Sequence, residues 1–79
     1  MTEYGIVWND ATGEAHSAKV LTAAAGVSLW EALAAQPEYS VRGYVVQGYS
    51  NATPISLHAL RNAAQVETLR AAAHRVLSK

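Results

Sequence analysis

Cysteine and phenylalanine are both missing from these 79 residues, and aspartate occurs once, at Asp10. Without cysteine the fold has no disulfide and no thiolate metal centre, and the redox compartment is left unmarked. The five glycines are dispersed, whereas a phosphate cradle needs them clustered before a helix. No apolar run approaches the roughly 18 residues of a membrane span. Met1-Thr2-Glu3-Tyr4 lacks both the basic start and the apolar stretch of a secretory leader. A cytoplasmic protein is expected.

Bulky apolar residues are also scarce: eight Val, seven Leu, two Ile and two Trp. The 51% hydrophobic content rests instead on sixteen alanines, each of which buries little area. Residues 1–79 make one small domain, and a chain this short hides only about 60% of its unfolded surface. With disulfides excluded, a second copy of the chain is the expected extra source of stability. The alanine bias fits a GC-rich bacterial or phage genome.

Formal charge is zero, yet the halves differ in sign. Residues 1–40 carry Glu3, Asp10, Glu14, Glu31 and Glu38 against Lys19. Residues 41–79 carry Arg42, Arg61, Arg70, Arg75 and Lys79 against Glu67. Such halves neutralise each other within a fold, meet across a dimer, or turn the basic side toward a polyanion.

Alternation makes Tyr4 to Asn9 a strand, with Tyr4, Ile6 and Trp8 on one face and Gly5 and Val7 on the other. Asn9 to Glu14 has the composition of a hairpin loop, and a weaker strand follows across His16 to Leu21. Ser28-Leu29-Trp30-Glu31 is a capping box, predicting a helix from Ser28 to about Gln36 that Pro37 ends. Alanines 23–25 extend it backward only across a weak point at Gly26. Leu29, Ala32 and Leu33 form its buried stripe, and Trp30 lies off that stripe.

A third strand spans roughly Tyr39 to Tyr49. Thr53 and Pro54 then read as the N-cap and first residue of a helix. From there to Ser78 the propensity is continuously helical, but the phase is not. At 100° per residue Val66, Leu69, Ala73, Val76 and Leu77 share one face, and Leu57 and Leu60 fall nearly opposite. A straight helix would have to bury both sides. A break at Asn62, which with Gln65 makes a second capping box, predicts a short helix near 55–61 and a longer one near 63–78. The order β-β-α-β-α-α implies an α+β two-layer sandwich, a three-stranded, mainly antiparallel sheet with helices on one face.

Few residues are placed for chemistry. His16, His58 and His74 lie on different elements, and neither helical histidine has a ligand residue three or four positions away. Ser56 and His58 are two apart and point in different directions on a helix. There is no nucleophile elbow, and the acidic residues are isolated. No enzyme activity, metal or cofactor is expected; a small enzyme would need a site gathered from scattered positions.

Nucleic acid is the alternative partner. Arg42-Gly43-Tyr44 begins like the RNA-recognition-motif octamer, but Val45 and Val46 replace its small and aromatic residues and the element order differs. A helix-turn-helix over residues 55–78 would present Arg61, Arg75 and Lys79, interrupted by alanines.

The stretch RGYVVQGY, residues 42–49, carries large side chains on both faces of its strand. Val41, Val45 and Tyr49 belong with Ile6 and Trp8 under the helices. Arg42, Tyr44 and Val46 fall on the open face beside Val7 and Lys19. Tyrosine and arginine are favoured at interface hot spots because each joins an apolar body to a polar tip. The expectation is a homodimeric, non-catalytic protein-binding or regulatory module of bacterial or phage accessory type. Arg42, Tyr44, Val46 and Trp30 are its contact residues.

Overall fold

The computed structural model describes residues 2–77. Its first reversal is organised by Asp10, which follows strand β1 (Thr2–Asn9) and precedes β2 (Ala15–Val20). Asp10 Oδ1 accepts the backbone amides of Thr12 at 2.9 Å and Glu14 at 3.1 Å, and the Thr12 hydroxyl as well. Gly13 completes the turn at φ 87°, a value that favours a residue without Cβ.

Strand β3 (Ser40–Gln47) pairs antiparallel with β1, and a short β4 (Thr53–Ile55) pairs with β3. The sheet order is β2-β1-β3-β4. In this register Tyr4 stands between Val20 and Val45, Ile6 between Ala18 and Gly43, and Trp8 between His16 and Val41. These rows share the covered face. Tyr4, Ile6, Ala23 and Leu60 form the buried centre, with Trp30, Leu33 and Ile55 packed around it.

The α+β class follows the sequence, but the sheet has four strands where three were expected. Thr53 and Pro54, expected to open a helix, form the edge strand instead. Pro54 is tolerated there because an edge position need not donate an amide to a further strand. Ser56 takes over the capping role, its Oγ accepting the Ala59 amide at 3.1 Å.

Helix α1 (Ala23–Ala34) also begins earlier than the Ser28 capping box implies. Thr22 Oγ accepts the Ala25 amide at 3.1 Å, and the Glu67 carboxylate accepts those of Ala23 at 2.7 Å and Ala24 at 3.1 Å. This distant carboxylate satisfies amides that the local sequence leaves open, and it faces the positive end of the helix dipole. Gly26, expected to weaken the helix, lies against Leu60 of the second helix. A Cβ there would lie 3.2 Å from Leu60 Cδ2.

That second helix, α2 (Leu57–Leu77), is unbroken, so the expected interruption at Asn62 does not occur. Asn62 Nδ2 lies 3.5 Å from His58 Nε2, within the helix. Leu60 is fully buried and Ala63, Ala64 and Glu67 are half-buried, but every residue from Thr68 to Leu77 is exposed. The helix is roughly 31 Å long, and its second half runs beyond the sheet. Accordingly the molecule measures 52 × 29 × 16 Å with a radius of gyration of 14.3 Å, against about 12 Å for a compact domain of this length. Among the described residues no helix is long and apolar enough to cross a membrane.

Candidate functional site

Both helices lie on the face that carries Tyr4, Ile6 and Val45, so the opposite face of the sheet is open. The pleat puts Glu3, Gly5 and Val7 of β1 there, with Ser17 and Lys19 of β2 on one side. Arg42, Tyr44 and Val46 of β3 stand on the other side. Pro54 of β4 is paired with Tyr44.

Gly5 sits opposite both Lys19 and Tyr44, and a Cβ built on it would meet nothing within 4 Å. The missing side chain leaves a notch in the central strand. Around it Glu3, Val7, Lys19, Tyr44 and Val46 enclose an open cavity of about 290 Å³. Tyr44 and Val46 are half-buried along its wall. Arg42 is exposed farther along the strand, where Nη2 donates to Asn9 Oδ1 at 3.3 Å.

Tyr49 joins this surface, contrary to the expectation that it packs beneath the helices with Val41 and Val45. Strand β3 ends at Gln47, and Gly48 turns the chain at φ 59°. The alternation therefore stops two residues early. Tyr49 is fully exposed and flanks Glu3 and Val46 across a second hollow of about 330 Å³. Gly48 itself was the signal: glycine takes that φ at no steric cost.

Trp30 is not part of the surface. It projects from α1 onto the covered side, half-buried, with its ring over Gly43. Arg42, Tyr44 and Val46 are brought together, and the sheet separates them from Trp30.

The residues of the nucleic-acid alternative are spread out. Arg61 Nη2 lies 3.1 Å from Glu31 Oε2 in an exposed ion pair. Arg75 is four turns farther along α2, roughly 21 Å by helix geometry, and Lys79 lies outside the described residues. Ser56 and His58 are engaged locally, one capping α2 and the other beside Asn62.

The hairpin brings a second group of polar side chains together. Asp10, Glu14 and His16 place potential ligand atoms within 4.8 Å of one another. His16 Nε2 is 2.8 Å from Asp10 Oδ2, and its ring stacks on Trp8 with centroids 5.5 Å apart. The other Asp10 oxygen already accepts three donors from the loop. The Thr12 hydroxyl, then His16, holds the Asp10 carboxyl well below the usual carboxylate range. The arrangement is that of a turn tying itself shut. The antiparallel register that sets His16 opposite Trp8 depends on how two strands align, and no local pattern in the sequence carries it.

The open face offers a mixed chemistry: aromatic rings at Tyr44 and Tyr49, aliphatic walls at Val7 and Val46, a carboxylate at Glu3 and cations at Lys19 and Arg42. No protein-family model, no curated protein and no solved structure matches this chain.

Proposed function

We propose that the chain is a small, non-catalytic protein-binding module of the cytoplasm that works as a homodimer and receives a partner protein on its open sheet face. The observation that carries this reading is the notch at Gly5 between Tyr44 and Lys19, on a face that neither helix covers. Tyrosines at a recess, bordered by charged side chains, have the make-up of an interface hot spot with a polar rim. Glu3 stands inside the cavity and interrupts the cations, which suits a protein partner better than a polyanion. The recess is open, unlike the pockets that enclose small ligands. The non-catalytic part draws support from Ser56 and Asp10, whose acceptor atoms are engaged in capping a helix and closing a turn.

The test compares immobilised wild-type and Tyr44→Ala chains as bait in lysate of the cells that encode them, with and without nuclease. The captured protein is then titrated, purified, against both. A protein retained by wild type despite nuclease, and bound tenfold or more weakly by Tyr44→Ala, supports the reading. Equal retention by Tyr44→Ala, or loss of all captured material on nuclease treatment, overturns it.

A further inference from the structure

The unbroken helix α2 has two apolar faces, and only one meets the rest of the chain. Leu60, Ala63 and Ala64 face the core. Val66, Leu69, Ala73 and Val76 recur at intervals of three, four and three residues on the other side, which is the seam spacing of paired helices. In phase, this stripe is nearly opposite Leu60. Leu69 is 68% exposed, Val76 72% and Leu77 82%. Leu21, 70% exposed, lines a hollow of about 350 Å³ beside the middle of α2, together with Ala63, Val66 and Glu67.

We propose that a second copy of this chain covers the stripe, the two α2 helices packing antiparallel along Val66, Leu69, Ala73 and Val76. This rests on the homodimer part of the reading above and names where the dimer forms. The five exposed side chains Leu21, Val66, Leu69, Val76 and Leu77 leave on the order of 500 Å² of apolar surface per copy. Two copies would bury roughly 1,000 Å², the lower bound of a specific interface. The projecting half of α2 has room for such a partner, because every described residue from Thr68 to Leu77 is exposed.

Charge and shape select the antiparallel arrangement. The last turn carries His74 and Arg75, and a parallel pair would set these basic ends and both negative dipole ends side by side. Antiparallel packing opposes the dipoles. It seats the second copy's Val76 against Val66 and its Ala73 against Leu69, and it brings the second copy's Leu77 to the Leu21 hollow. Ala73 keeps the crossing close, since it adds little bulk between the helix axes.

Light scattering after size exclusion at roughly 100 µM, a loading suited to an interface of this size, tests the proposal on wild type, Leu69→Glu and Val76→Glu. Both positions are exposed within one chain, so circular dichroism should show the same helix content in all three. Wild type at twice the 8.4 kDa chain mass, with both variants monomeric, supports the proposal. Wild type and variants all dimeric overturn the helix interface while leaving the homodimer reading in place. A monomeric wild type overturns both. Orientation is read by oxidative cross-linking, since the native chain has no cysteine. Leu69→Cys mixed with Ala73→Cys should form a heterodisulfide, and efficient cross-linking of Ala73→Cys to itself overturns the antiparallel arrangement.

Discussion

Gly43 lies directly beneath the ring of Trp30: a Cβ on Gly43 would stand 2.4 Å from Trp30 Cζ3, closer than any real packing contact. The contact seats α1 on the sheet, and it explains why β3 carries a glycine opposite Ile6. Gly43→Ala is expected to lower stability by about 1–3 kcal/mol through overpacking, measured by urea unfolding. In a Trp30→Leu background the same substitution should cost at least ~0.5 kcal/mol less, because the nearest obstacle has been removed and only Ile55 Cγ2, at 3.2 Å, remains tight. Additive effects would mean that the ring can swing aside freely.

Glu67 ties the start of α1 to α2 through the amides of Ala23 and Ala24. Replacing it with alanine leaves both donors without their partner and removes the charge at the positive end of α1. A loss of about 1–2 kcal/mol is expected. Glu67→Gln retains a neutral acceptor and should lose about half as much. Hydrogen exchange adds a local check, with the Ala23 and Ala24 amides exchanging fastest in Glu67→Ala.

Asp10 supplies a pH dependence of known sign. Its carboxyl is held below the ordinary value of 3.8 in the folded chain, first by the Thr12 hydroxyl and then by His16. A depressed carboxyl contributes stability that is fully present above pH 3.8 and is lost as pH falls below it through the folded value. The Asp10 carboxyl carbon, followed by NMR, should show no midpoint near 3.8. Asp10→Ala should flatten the fall of stability in that acid window. Ordinary titration of Asp10 near 3.8 would show that the turn does not hold its carboxylate as described.

Gly5 separates stability from recognition. A side chain there meets no atom within 4 Å, and valine suits a central strand better than glycine. Gly5→Val is expected to raise stability by about 0.5–1 kcal/mol. It also fills the notch beside Tyr44 and should weaken partner binding tenfold or more by calorimetry. A variant that is both more stable and still able to bind at wild-type strength would place the contact elsewhere.

The hairpin was legible from the composition of its loop, and the covered face of β1 and the open-face trio Arg42, Tyr44 and Val46 from alternation within one strand. The start of α1 was not. Ser28 and Glu31 match a capping box, but the carboxylate that sets the true start is Glu67, more than forty residues away. Trp30 was misplaced for a similar reason: its partner is the empty space above Gly43, and an absent side chain leaves no local pattern. Strand β4 was hidden because Thr53-Pro54 suits a helix start and an edge strand equally. The course of α2 was not legible either, because its apolar residues from Val66 onward keep a helical spacing but stay exposed within the chain.

The brevity of β4 limits how copies of this protein can join. Three residues with proline at the centre offer few free amides at that border of the sheet. A strand from another molecule finds little to bond there, while the far border at β2 is twice as long. Ribbon growth needs two receptive borders, so strand addition should stop at pairs instead of running on into filaments.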